Sequence, residues 1–444
     1  MDTGNKREKI DAFNILIIDA YHDSDRGGAG ILAGILNVLH SVMRELNKPI
    51  RIGIVYRFSE DDKRFKSMAR HTRKAFPNAT IYGAPIKTFL RDTFSNRFKL
   101  LFVLPSSFLK LCFAPLLHDK VSRAMKDADF VISKGGHFYG SRGNNVISGF
   151  ISMYINAYTL LLTIRLRKKF VLIAHTVGPF NNYPSRKIIK FVFERAKFLS
   201  TREEISKKIL LNMGISGSKV KVLPDTAFAL VPVSKDDMVA YLSKKGLKEK
   251  KYAVITARYW YFPEISAKKA PLLYIEYLNS LANIADYLIE QNYVDKVVLV
   301  VHNDGQHSKN EDDSKPINAI FDKICHKEKT IVIKDDLSPA MQSALYGQAK
   351  IMIGTRMHSV IFALVGGAPA IAISYTHKTN GIMRMLNMEK YILDINSINL
   401  SDAKKMIDNV ITNETEVVEL AIEKIKEFRT LLKITLKEIL VSTL

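Results

Sequence analysis

The residues Gly354-Thr355-Arg356-Met357-His358 follow the apolar run Lys350–Ile353 directly. That run reads as a short buried parallel strand, and Ser359–Val365 reads as the start of a helix. Arg356 and His358 therefore fall in a strand-to-helix loop, beside the unpaired N–H groups of the helix that follows. Open α/β sheets bind ligands at this edge, and helix N-termini favour anions. A guanidinium grips carboxylate or phosphate with two parallel bonds, and an imidazole carries a proton near neutral pH. The pattern suits a small anion that undergoes proton chemistry.

Further loops of the same kind recur at expected strand ends. Asp19–Gly30 contains Arg26-Gly27-Gly28-Ala29-Gly30 ahead of a helix over Ile31–Leu46. Its spacing is neither the dinucleotide fingerprint nor a P-loop, and tight-turn packing competes with ligand contact at Gly28. Ser133-Lys134-Gly135-Gly136-His137-Phe138 follows another buried strand, and its paired glycines suggest backbone approached by substrate. His175-Thr176-Val177-Gly178-Pro179-Phe180 has the same form. Arg202, Arg258 and His302 each end a strand, while Tyr375 and Lys378 lie just beyond one. The bland alternatives are a surface ion pair for Arg202 and a structural salt bridge with a core histidine for Arg356 and His358. Histidines are scattered without a helical ligand pair, so no metal site is expected. Neither a nucleophile elbow nor a kinase motif set is present.

The elements that must position these residues come in two series. Asn14–Asp19, Arg51–Tyr56, Asp129–Ser133, Phe170–Ala174, Phe198–Thr201 and Val220–Leu223 read as strands, with helices between them such as Arg186–Phe198. After the lysine-rich stretch Pro232–Lys251 the pattern restarts. Tyr252–Ala257, Lys296–His302, Thr330–Lys334, Lys350–Ile353 and Pro369–Ser374 read as strands, and Tyr274–Gln291 as a long helix. His307–Lys315 reads as a polar loop, and Glu414–Leu440 as one or two charged helices. Alternating strands and helices imply parallel sheets with right-handed crossovers. The expected fold is α/β, with two Rossmann-like doubly wound domains facing across a cleft, a GT-B-like plan. The expected divisions are 1–235, an acceptor-side domain; 236–413, carrying the anion site; and 414–444, a helical tail. One large class of glycosyltransferases shares this plan, so fold alone does not decide function.

The chain has 444 residues and 66 Lys+Arg against 44 Asp+Glu, a net charge of +22. Such an excess favours anionic partners. Basic stretches such as Arg57–Lys74 lack a nucleic-acid-binding motif and read as solvated or membrane-proximal faces. Cys112 and Cys325 are far apart and read as two reduced, buried thiols of a cytoplasmic protein. The polar N-terminus shows no apolar core of a secretory signal. Within 91–120, Leu100–Leu117 is the most membrane-like window, broken by Pro105, Lys110 and Pro115. It reads as a buried hairpin or as an interfacial helix flanked by Arg91, Arg97 and Lys99.

Taken together, these loops resemble the polysaccharide pyruvyl transferase family. The matching elements run from Asp25-Arg26-Gly27-Gly28-Ala29-Gly30 through Gly135-Gly136 and Val177-Gly178-Pro179-Phe180. They continue through Ser200-Thr201-Arg202-Glu203-Glu204, Pro224-Asp225-Thr226, Gly354-Thr355-Arg356-Met357-His358-Ser359 and Ile373-Ser374-Tyr375-Thr376-His377-Lys378. Thr376 stands where an Asp commonly follows the Tyr, and Ala174-His175-Thr176 replaces Gly-Gln-Ser. The resemblance implies transfer of pyruvate from phosphoenolpyruvate to two sugar hydroxyls as a cyclic ketal, without a metal or other cofactor. It implies Arg202 and Arg356 as clamps on the donor, assisted by Lys378 or Arg258, and His358 as the proton donor. The substrate-facing set is then Gly28, Gly135, Gly136, His137, Gly178, Arg258, His302, Tyr375 and Lys378. A sugar acceptor carried on a lipid phosphate would bring the protein to the inner face of an anionic membrane. The competing expectations are a nucleotide-sugar glycosyltransferase of the same plan and a non-catalytic scaffold for glycan assembly.

Overall fold

A computed structural model describes residues 12–86, 104–141, 146–306, 308 and 311–443. The first half builds β1 (Phe13–Ala20), β2 (Ile50–Tyr56), β3 (Thr80–Tyr82), β4 (Phe130–Ser133), β5 (Gly136–Ser141), β6 (Phe170–Phe180), β7 (Phe198–Thr201) and β8 (Val220–Val222). These form a parallel sheet in the order β3-β2-β1-β4-β6-β7-β8, with β5 paired alongside β6. The second half builds β9 (Tyr252–Thr256), β10 (Lys296–Val300), β11 (Thr330–Ile333), β12 (Ile351–Gly354), β13 (Ala370–Ser374) and β14 (Ile392–Asp394). Their order is β11-β10-β9-β12-β13-β14, also parallel. Runs such as Ile15-Leu16-Ile17-Ile18 and Val297-Val298-Leu299-Val300 are buried along their whole length, because helices cover both faces of each sheet.

In both sheets the chain order reverses at the first strand: between β1 and β4, and between β9 and β12. A doubly wound sheet opens a crevice at that switch point, outside the carboxyl ends of its strands. The loops carrying Lys134, Arg258 and Arg356 leave these central strands.

Several elements differ from expectation. The glycine stretch Arg26–Gly30 is the start of the helix Arg26–Glu45 rather than a loop. The residues from His175 to Phe180 extend β6, and Gly136–Ser141 pairs with them as β5. β3 and β14 are three residues long, too short for a periodic signal. Of the polar stretch His307–Lys315, residues 307, 309 and 310 lie outside the described residues. Ser314 already begins the helix Ser314–Lys323.

Both cysteines are exposed rather than buried, since each lies at or just past the outward end of a helix. The membrane-like window, whose flanks Arg91, Arg97 and Lys99 lie outside the described residues, is not a buried hairpin. A helix over 104–112 packs on the helix Val146–Arg165, where Tyr158 Oη donates to Ser107 O (3.1 Å). Phe108 and Leu116 remain 60% and 71% exposed. The helix Val146–Arg165 is itself long and apolar enough to cross a membrane.

Two features join the halves. The last helix, Glu414–Val441, buries Val417, Ala421 and Ile425 in the second core, then Leu432, Leu436 and Leu440 in the first. Near the cleft, Arg26 reaches across to Asp336 (2.5 Å), and its backbone N–H donates to Asn303 Oδ1 (3.2 Å).

Candidate active site

A cavity of about 720 Å³ lies between the carboxyl edges of the two sheets. Arg202 enters it from the first half, and Arg356 and His358 from the second. Gly28, Gly136, His137, Arg258, His302, Tyr375 and Lys378 also line it.

Arg356 caps the helix Met357–Gly366 at the end of β12. Its guanidinium donates to buried Asp313 (Nη2–Oδ1 2.6 Å) and to the Glu311 carboxylate. Burial opposes its charge, but these two carboxylates outweigh burial and push its pKa further up. Asp313 is fully buried, whereas Glu311 is 37% exposed in its side chain and also lies 3.6 Å from Arg258.

Two residues on, the ring of His358 lies over the helix Arg26–Glu45. A Cβ at Gly27 would sit 2.3 Å from its Nδ1, and one at Gly30 would sit 2.5 Å from Phe362. The glycines therefore allow elements of the two halves to touch, which is a stricter demand than a tight turn. His358 Nε2 lies 3.5 Å from Asp225 Oδ2. The same oxygen accepts from Arg202 Nη1 at 2.6 Å, and Arg202 Nε donates to Thr176 Oγ1 at 2.6 Å. Burial works against the Asp225 carboxylate, but His358 and Arg202 hold it far below the usual range. Asp225 thus connects a cation of one half to the imidazole of the other.

Around this centre, Lys378 Nζ donates to His137 Nδ1 (2.7 Å), and His137 Nε2 lies 2.7 Å from Gly178 O. Arg258 donates to Tyr375 Oη (2.6 Å) and stacks over that ring at 4.4 Å and over Trp260 at 5.3 Å. His302 is buried against Tyr346, and burial, then Arg356 and His358, push its pKa far down. It lines the cavity as a neutral ring. Gly135 and Gly178 do not line the cavity. A Cβ at Gly135 would meet Ala174 O at 2.8 Å, and Gly178 has φ +82 with Ile209 beneath it. Both serve packing.

Sequence reasoning gave no role to Asp225, Glu311, Asp313 or Lys134. Asp225 stood inside a quoted motif; the two acidic residues after His302 carried no periodic or motif signal at all. Lys134 is fully buried at the cavity edge, and burial brings its pKa down to about 8 against the pull of Asp25, Asp19 and Asp225.

Comparison with known proteins places this geometry in context. The amylovoran biosynthesis protein AmsJ of Erwinia amylovora is 24% identical over 425 residues, covering 94% of this chain and 96% of that protein. Among solved structures, HepE of Anabaena in complex with UDP-glucose shares 12% identity with a TM-score of 0.54, covering 97% of this chain and 99% of that one. A glycosyltransferase of Rickettsia africae ESF-5 shares 13% identity with a TM-score of 0.54, covering 98% and 99% respectively. At such identities these structures speak to the two-sheet fold alone. The family model for polysaccharide pyruvyl transferase matches residues 61–377, from the first sheet through the Arg356–His358 loop to the edge of Lys378, and the chain belongs to that family.

Proposed function

We propose that this protein transfers the pyruvyl group of phosphoenolpyruvate to two hydroxyls of a sugar in polysaccharide biosynthesis, releasing phosphate and leaving a cyclic ketal. Family membership and the similarity to AmsJ support the biosynthetic setting. The observation that carries the reading is the convergence of Arg202, Arg356 and His358 on one cavity from opposite halves.

The donor bears a carboxylate and a phosphate, and two guanidiniums match two such groups. Buried Asp313 keeps Arg356 oriented, while the donor carboxylate takes the place of the more exposed Glu311 on its outer face. His358 gives a proton to the terminal vinyl carbon, and a sugar hydroxyl bonds to the adjacent carbon as positive character builds there. The second hydroxyl then closes the ring as the bond to phosphate breaks. Asp225 stabilises the imidazolium, and Arg202, Arg356 and Lys378 supply charge stabilisation without a metal or other cofactor.

The acceptor is a sugar carried on a lipid phosphate, and the protein works peripherally at the cytoplasmic face of a membrane. Supporting this, Phe108, Leu109, Phe113 and Leu116 are exposed on a chain of net charge +22, as are Ile147 and Phe150 of the helix Val146–Arg165 on which their segment packs. Ser152 and Asn156 of that same helix line the cavity, so one helix links the apolar face to the site.

Phosphate release from phosphoenolpyruvate, measured over a panel of sugars, tests the reaction. H358A and R356K are expected to stay folded and lose ~10²-fold or more in turnover. Protection against heat by nucleotide sugars and not by phosphoenolpyruvate would replace this reading with glycosyl transfer.

A further inference from the structure

Pyruvyl transfer as proposed above, on which this inference rests, must remove a proton from the attacking hydroxyl. Few groups lining the cavity can take one: Asp25 offers a carboxylate, and the buried ring of His302 resists a proton. Arginines do not deprotonate in proteins. Both ring nitrogens of His137 are engaged, by Lys378 and by Gly178 O. Asp225 is committed to Arg202 and His358, and Glu311 to Arg356 and Arg258.

Lys134 differs from all of these. It directly follows β4 at the switch point of the first sheet and is wholly buried, yet it lines the cavity. Its Nζ donates to Gly28 O (3.1 Å) and Gly135 O (3.4 Å) and lies 5.4 Å from the centre of the Phe138 ring. Among the described residues no carboxylate pairs with it. A neutral amine has two N–H groups, which the two carbonyls can accept, and a lone pair left over. We propose that Lys134 is the catalytic base that takes the proton from the first attacking hydroxyl.

The protons then balance. The first hydroxyl oxygen bonds to the central carbon of the donor, the vinyl electron pair takes a proton from His358, and the hydroxyl proton passes to Nζ. When the second hydroxyl closes the ring, its proton returns to His358. The carbon–oxygen bond to phosphate breaks, and the Lys134 ammonium protonates the departing phosphate. Two hydroxyl protons end as one on the new methyl group and one on phosphate.

The charges facing Lys134 are Asp25, Asp19 and Asp225, which favour the ammonium, and Arg57, which opposes it together with burial. Buried His175, whose pKa is brought down to about 4, is close enough to feel the same ammonium. These place the loss of the Lys134 proton near pH 8, where an amine serves as a base.

Steady-state phosphate release by the full chain, with phosphoenolpyruvate and an accepted sugar, tests the assignment. Wild-type kcat/KM should rise with pH through an inflection near 8. K134M should lose ~10²–10⁴-fold in kcat and lose the inflection, with KM for phosphoenolpyruvate within about threefold. K134R keeps the charge but cannot act as a base and should be as slow. Thermal protection by phosphoenolpyruvate shows that each variant is folded and binds the donor. Near-wild-type turnover in K134R, or a K134M defect confined to KM, would make Lys134 an anion clamp and overturn the proposal. So would loss of the inflection in D25N with K134M still showing it. A wild-type protein that neither binds phosphoenolpyruvate nor releases phosphate removes the reaction itself, and the role of Lys134 with it.

Discussion

Asp225 shows how a single carboxylate can tie a site together. It is buried, it neutralises Arg202 and it faces His358, so removing its charge affects both partners. D225N is expected to lower kcat by ~10²-fold, as an imidazole loses its stabilising anion. It should also lower stability, since the buried Arg202 guanidinium then keeps only the more distant Glu203 carboxylate, 3.8 Å from its Nε. Turnover measured well below the melting temperature separates the two effects. His175 makes the pH dependence of stability readable in the same way. Burial brings its pKa down to about 4. Between the usual histidine value of ~6.5 and that point, the unfolded chain binds a proton that the folded chain does not. Stability therefore falls as pH drops through this window, by roughly 3 kcal/mol from this residue at ~1.4 kcal/mol per pH unit. Urea midpoints at pH 7.5 and 4.5 should show a smaller acid loss in H175Q than in wild type. At this scale Arg356 and His358 were legible, because their types and their place after a buried strand carry the signal. Asp225, Glu311 and Asp313 act through pairings set by the tertiary fold, and neither period nor local spacing records those.

At the scale of elements, the glycines of Arg26–Gly30 taught a different lesson from the one their composition suggests. Glycine is a poor helix former, so a loop was the natural expectation. The residues at 27 and 30 are glycine inside a helix because His358 and Phe362 of the opposite half come within 2.3 and 2.5 Å of where their Cβ atoms would sit. G27A should change the melting temperature little, since alanine favours the helix while its methyl meets a movable ring. It should displace His358 and cut kcat by about tenfold or more. Kinetics and thermal unfolding on one preparation would show whether the two separate. The central strands were readable because β-branched runs buried on both faces leave an unbroken apolar signature. β5 was not, as Gly136-His137 reads as a turn until β6 supplies its pairing partner.

For the whole molecule, charge and apolar exposure point the same way. The net charge of +22 and the outward Phe108, Leu116 and Ile147 (72% exposed) suit an anionic bilayer surface. Sedimentation with vesicles containing phosphatidylserine should capture the protein at low salt. Binding should fall at high ionic strength and in a F108S/I147S variant. Capture that is equal on neutral vesicles, or unchanged in the variant, would dismiss this face as a docking surface. The two-sheet plan was legible from the restart of the strand–helix alternation after Lys251. The crossing of the last helix was not, because amphipathic spacing says which face is buried and nothing about what buries it.

That crossing has a consequence for how the protein is made. The first sheet emerges early from the ribosome, yet Leu432, Leu436, Ile439 and Leu440 belong to its core. Until the segment that carries these side chains clears the exit tunnel, the first sheet waits with an uncovered flank, dependent on residues made long after its own strands.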